Sequence, residues 1–356
     1  MSDVVFILGA GASHMAGAPL MRNFLDTASD LLRRDNVDNK QKDFQRVFDA
    51  IGQLQVVHSK AELDLNNLES VFTVLELAKV IKSFPGSTET DVFETIASLK
   101  TLIVTTLEKT VAFPCEAGRI SAPPPYGDFA NFIKHLMTQA SPRRSVSVIT
   151  FNYDVAVDWA LHEAGLGPDY AIEGDPGNAD AVSLLKLHGS LNWGVEPITR
   201  AIKPLRIEKY NAYREPNVAS QKTTIGIGSQ LAQILKQCGT TVAPEPLIVP
   251  PSWNKADYHH DLSAVWASAA KHLSEAQYIF IIGYSLPETD AFFRHLYALG
   301  SVGREPLRRI EVFNTDESQY TDERFRHLLG PGALARYAYH KNTFAMAIPA
   351  IREYFK

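Results

Sequence analysis

Six short runs along the chain are apolar at almost every position and rich in β-branched or aromatic residues: 3–8 (DVVFIL), 145–150 (SVSVIT), 181–187 (AVSLLKL), 246–250 (PLIVP), 277–283 (QYIFIIG) and 308–314 (RRIEVFN). Runs of this length without polar alternation predict strands buried on both faces, as in a parallel sheet. Apolar positions at helical spacing follow several of them, over 154–164, 262–274, 288–299 and 318–329. Strands alternating with helices predict an α/β fold: a Rossmann-like, doubly wound parallel sheet of about six strands, whose chemistry gathers at the carboxyl ends of the strands.

The stretch 27–140 breaks this rhythm. It carries almost no strand signal but has amphipathic helical patterns over 40–57, 68–82 and 91–110. We read it as a large helical insert in a core made of 1–26 and 141–356. Phe84-Pro85-Gly86-Ser87 and Ala122-Pro123-Pro124-Pro125 divide it, because successive prolines cannot continue a helix. The stretch 194–221 is mixed in pattern and yields no single element.

Composition narrows the class. With 35 Lys and Arg against 40 Asp and Glu, the net charge of -5 offers no basic excess for nucleic acid, and no direct nucleic-acid site is expected. No apolar run reaches the ~18 to 20 residues that span a bilayer, so no membrane partner is expected. The two cysteines, Cys115 and Cys238, build neither a disulfide framework nor a four-cysteine zinc site, and no metal is expected. Together with the absence of a signal-peptide pattern, this points to a cytoplasmic setting.

Polar and small residues concentrate where the apolar runs end. After the first comes Gly9-Ala10-Gly11-Ala12-Ser13-His14, whose glycines permit a sharp turn and a close approach to a phosphate; His14 stands where G-x-G-x-x-G has its third glycine. The same turn serves equally as punctuation. Asn152 and Asp154 follow the second run, as crevice groups or as helix caps. His188-Gly189 follows the third; a histidine there suits a general base. Gly283-Tyr284-Ser285 and Asn314 end the last two runs, suited to a nucleotide or to capping.

Taken in order, these segments resemble those of the sirtuin (silent information regulator) superfamily. GAGAS-HMA-GAP-LMR at 9–22 resembles GAGxS-xxx-GIP-xFR with its spacing intact, TFNYD at 150–154 resembles TQNxD, and LHGS at 187–190 resembles the LHG segment. Gly283-Tyr284-Ser285 resembles the later G-[TS]-S loop, and Asn314 falls at the strand-end asparagine. The resemblance covers the core and leaves the insert unexplained. Protein deacylases of the superfamily carry a four-cysteine zinc ribbon after the histidine, whereas here only Cys238 follows His188. The phrases Leu247-Ile248-Val249-Pro250-Pro251-Ser252-Trp253 and Asn67-Leu68-Glu69 look like the prokaryotic sirtuin-like proteins of antiphage defence.

The resemblance implies that NAD+ is the substrate and that the chain is an NAD+ glycohydrolase, an N-glycosidic bond hydrolase yielding nicotinamide and ADP-ribose, acting as a defence effector that depletes NAD+. It implies catalytic roles for Asn152 and His188. Gly9, Ala10, Gly11 and Ser13 would hold the diphosphate, Arg22 would lie near the nicotinamide-side ribose or phosphate, and Asp154 would hold the ribose or carboxamide. Gly283, Ser285 and Asn314 would bind the adenosine half. Implied partners are further copies of the chain and a HerA-type ATPase or short Argonaute. ADP-ribosyl transfer, deacylation and non-catalytic sensing of NAD or ADP-ribose are the alternatives. The insert, leaving the core after Arg22 and returning before Thr150, is the expected place of control or, equally, a cover for the sheet.

Overall fold

The structure, a computed structural model, describes residues 2–55, 63–86, 88–173, 181–212, 223–228, 239, 242, 246–249, 256–287, 290–300, 302–303 and 305–356. Val57, Ser87, Cys238, Pro250, Pro251, Ser252, Trp253 and Glu288 lie outside the described residues, as do 213–221 of the mixed stretch. In chain order the strands are β1 (Val4–Leu8), β2 (Phe113–Glu116), β3 (Arg119–Ile120), β4 (Val146–Thr150), β5 (Pro168–Asp169) and β6 (Val182–Lys186). They continue with β7 (Trp193–Val195), β8 (Ile202–Pro204), β9 (Thr223–Ile225), β10 (Tyr278–Ile282), β11 (Arg309–Phe313) and β12 (Tyr337–His340). Seven of these form one sheet in the order β12-β11-β10-β1-β4-β6-β5, every pair parallel.

The sheet thus has seven strands rather than six, and its membership differs from the expectation. Five apolar runs supply β1, β4, β6, β10 and β11. The run at 246–250 is not a sheet strand: proline at either end of it has no N–H to give a ladder. Instead Leu247 and Val249 donate to the carbonyls of Trp193 and His188, at 2.8 Å each, and Ile248 forms an antiparallel bridge with Gly189. The two unexpected members are edge strands. β5 is two residues long, and β12 is half-exposed throughout, so neither shows an apolar run.

Period-two alternation gives each strand two buried faces. Val4, Phe6 and Leu8 face one core with Val148 and Leu184; Val5 and Ile7 face the other with Ile149 and Leu185. The second core is closed by the helices Ala256–Glu275, Ala291–Gly300 and Tyr320–Leu328 through Val265, Phe293 and Phe325. The first is closed by α1 (Ala10–Ser13), α2 (Phe24–Arg33), α3 (Gln41–Leu54), α4 (Leu68–Ile81), α5 (Glu89–Thr110), α6 (Tyr126–Thr138) and α7 (Ala156–Glu163) and by the later helix Phe344–Arg352. Within α6, Phe129 meets the Phe6 ring edge-on at 5.0 Å. The stretch 27–140 therefore covers the sheet as well as departing from it.

Local signals explain the helix starts. Thr88 and Asp91 form a reciprocal capping box, so α5 begins at Glu89, two residues before the apolar pattern. Asn67 caps α4 by accepting from the Glu69 amide. The stretch is not wholly helical: β2 and β3 pair through a turn at Ala117 and Gly118, both at positive φ, and β2 also pairs with β9. From β1 the chain adds β4 beside it, crosses to the edge strand β5, comes back to lay β6 between β4 and β5, and then adds β10, β11 and β12 on the other side of β1. The switch point of the sheet accordingly lies beside β1.

Candidate functional site

The turn after β1 is wedged against the turn after β10. Gly9 and Gly11 donate their amides to the carbonyls of Ile282 (3.0 Å) and Gly283 (2.8 Å). A Cβ on Gly9 would stand 2.5 Å from the Tyr284 Cα, and one on Gly283, which holds φ +64, only 2.3 Å from the Ala12 nitrogen. These glycines are accordingly required by backbone packing between two loops. Both amides are spent on that contact; Ala10, between them, makes no such bond.

Behind the turn stands a buried polar cluster. The Ser13 hydroxyl donates to Asp154 Oδ2 at 2.7 Å and accepts from Asn152 Nδ2 at 3.0 Å; it also bonds the Tyr126 hydroxyl at 2.7 Å, which must then be the donor. One proton and two lone pairs are thus all engaged. Asn152 Nδ2 also donates to the Gly9 carbonyl at 2.9 Å, whereas among the described residues none bonds Asn152 Oδ1. Asp154 Oδ1 accepts from the Ala156 amide, which fixes the start of α7 two residues later than expected.

Burial raises the Asp154 carboxyl above its ordinary value, against the opposing pull of Lys186 and the Ser13 hydrogen bond, and burial likewise drives the Tyr126 phenol well up. A carboxyl raised on folding contributes stability that is whole below the unfolded value of 3.8 and is lost as pH rises through the folded one. Asp154→Asn removes this titration. Melting temperatures measured between about pH 4 and pH 8 are therefore expected to fall less steeply with pH in the variant than in the unmodified chain; equal slopes would contradict the assignment.

His188, only 4% exposed, ends the strand run of β6. Its ring meets Phe151 edge-on at 5.2 Å and lies tilted 6.2 Å from Tyr153. Phe151 in turn stacks on Tyr284 at 4.4 Å, so aromatic contacts join the histidine to the β10 turn. Residues 247–249 strap the His188 turn from above, and Tyr153 secures the strap by donating to the Val249 carbonyl. Burial, then Asp290 and Glu69, push the Tyr284 phenol well above its usual range against the pull of Arg294.

Beneath lies a set of residues that motif reading passes over. Lys186 and Asp158 are both fully buried and paired at 2.9 Å, and the Lys186 ammonium also donates to the Asp154 carbonyl at 2.6 Å. Tyr170 donates to Asp158 Oδ1 (2.6 Å), Asn192 donates to Tyr170 (2.9 Å), and Ser190 donates to Asn192 Oδ1 (2.6 Å). The available signal was a lysine inside an apolar strand, on the same face as Val182 and Leu184.

Gly9, Gly11, Ser13, Asn152, Asp154 and Gly283 are joined by direct bonds, and Asn314 joins them by donating to the Tyr284 carbonyl at 3.3 Å. Arg22 and Ser285 are exposed; Arg22 makes no bond to the others, and the Ser285 carbonyl accepts from Arg324. Among the described residues, no three His, Cys, Asp or Glu side chains stand together as metal ligands.

No protein-family model and no curated protein matches the chain. Among solved structures, a Sir2 homologue in complex with NAD is similar over 99% of this chain and 90% of its own, at 14% identity and a TM-score of 0.44. A Sir2 complex with a p53 peptide and NAD+ is similar over 99% and 92%, at 10% identity and a TM-score of 0.37. A Sir2 protein bound to a propionylated peptide gives 99% and 92%, 11% and 0.35. Likeness at this level assigns no residue a role.

Proposed function

We propose that this chain binds NAD+ and breaks the bond between nicotinamide and ribose. The observation that carries the reading is the bonded cluster of Ser13, Asn152 and Asp154 beside the glycine turn, at the switch point of a parallel sheet, with a buried histidine at the neighbouring strand end. Asn152 Oδ1 is the acceptor left for a carboxamide or ribose hydroxyl. Ser13 orients Asn152 and Asp154. Since Gly9, Gly11 and Ser13 have their donors engaged, the diphosphate contacts fall to the Ala10 amide and the Arg22 guanidinium.

Nicotinamide departs as a neutral molecule from a cationic ring, so positive charge develops on the ribose, where the nearby Asp154 carboxylate favours it. Water then adds to the ribose carbon and gives up its proton to His188 as general base; the products are nicotinamide, ADP-ribose and one proton. The resemblance to defence proteins supports the wider part of the proposal: an effector that depletes NAD+ upon assembly with copies of itself and an ATPase or Argonaute partner, with 27–140 as the unit of control. The peptides bound by two of the Sir2 structures support one other acceptor, an acylated peptide.

Incubation with NAD+, with and without a propionylated peptide, decides between them. Nicotinamide release without peptide, unaffected by a chelator, is the expected result; release only with peptide, accompanied by loss of its acyl group, would assign the second acceptor. A chain that neither releases nicotinamide nor binds ADP-ribose by calorimetry would overturn the reading.

A further inference from the structure

We infer that Lys186 is a positioning residue of this site, held in place by Asp158 and acting through the Asp154 backbone to set the β4 turn against the β6 turn. The inference rests on the NAD+ reading for its function and on geometry for its placement. A lysine and an aspartate at zero exposure forgo all hydration, and a buried pair of this kind is commonly no more stabilising than apolar residues of the same volume. Stability alone therefore does not account for it. Its bonds do. The ammonium spans two groups: the Asp158 carboxylate on α7, and the carbonyl of Asp154 in the turn that carries Asn152.

From Asp158 the bonds continue through Tyr170 and Asn192 to Ser190, two residues beyond His188. The Leu191 amide donates back to the Tyr153 carbonyl at 2.9 Å, and the Ser190 hydroxyl, its proton on Asn192, lies 3.3 Å from the same carbonyl. The loop bearing Asn152 and Asp154 and the loop bearing His188 are thus tied together from below by one closed set of polar contacts, with Lys186 as its only cation. The groups that face the Asp154 carboxyl are Ser13 from α1, Tyr126 from α6, Asp158 and the Ala156 amide from α7, and Lys186 from β6. Lys186 is the one among them whose positive charge favours the ionised carboxyl.

Lys186→Met strands a buried carboxylate and risks unfolding, so the informative protein is the double variant Lys186→Met/Asp158→Leu, which restores an apolar pair and with it the fold. In that variant kcat for nicotinamide release is expected to fall about a hundredfold while KM changes less than about threefold, because the misplaced groups act at the transition state. The acid limb of its pH–rate profile should move to higher pH by about one unit, a shift that a merely structural role would not produce. Lys186→Arg, which keeps the charge, should leave that limb in place. A folded double variant with unaltered kcat and acid limb overturns the inference.

If the unmodified chain neither binds ADP-ribose nor releases nicotinamide, the functional reading fails, and the placement is judged by hydrogen exchange. Amides 152–156 that exchange about tenfold faster in the double variant, with β10 unchanged, support it. Equal protection of both segments refutes it.

Discussion

Asn152→Ala and His188→Gln are each expected to lower nicotinamide release by about a thousandfold, the range in which a positioned base or a polar group at the reacting centre operates. Both proteins should remain folded. Asn152 contributes two hydrogen bonds, to the Gly9 carbonyl and the Ser13 hydroxyl, but the Gly9 carbonyl also accepts from the Ala12 amide and Ser13 keeps Asp154 and Tyr126. Their loss costs about 1 to 2 kcal/mol, within the margin of an ordinary domain. Glutamine in place of His188 keeps most of the side-chain volume between Phe151 and Tyr153 while removing the imidazole proposed to take the proton. Steady-state rates and melting temperatures of the same preparations check both halves. Near-normal turnover in folded His188→Gln would show that another group takes the proton.

A large loss of stability is expected from Gly283→Ala. The new methyl would meet the Ala12 nitrogen at 2.3 Å and the Gly11 carbonyl carbon at 2.5 Å, both backbone atoms of a packed turn, on a residue held at φ +64. Left-handed strain and overpacking each contribute on the order of 1 to 3 kcal/mol, enough together to take most of a domain's stability. Gly52→Ala is the control: its Cβ has open space in the last turn of α3, so the helix should gain up to roughly 0.5 to 1 kcal/mol. Chemical denaturation of the two variants should therefore give opposite signs. A Gly283→Ala protein as stable as the unmodified one would mean that the β1 and β10 turns are not in contact.

Five of the seven sheet strands are readable as apolar runs because both of their faces are covered, which removes the polar half of the alternation. The run at 246–250 has the same composition and a different fate, since apolar content reports burial and not pairing: it is buried against the His188 turn instead of a sheet neighbour. β12 escapes notice for the converse reason, its half-exposed residues leaving no unbroken apolar run. At the site, Ser13, Asn152 and Asp154 are legible because short polar residues at strand ends are rare enough to stand out. Tyr126, Asp158 and Lys186 are not, because each sits in an ordinary helical or strand pattern and gains its role only from partners distant in sequence. The glycines also answer to a contact the sequence does not suggest, the close approach of a second loop.

The position of β1 has a consequence for how the molecule is made. It is made well before either neighbour, for Val4 pairs with Val146 on one side and with Tyr278 on the other. At ~5 to 20 residues per second, roughly 15 to 55 s pass between synthesis of Val4 and of its β10 partner. During that interval a strand of five consecutive apolar residues has one unpaired edge, which makes the nascent chain a client for holding factors or for mispairing with its neighbours on a polysome. The glycine turn has no loop to wedge against until Gly283 exists. Chains that end before Gly283 therefore lack the contact between the β1 and β10 turns.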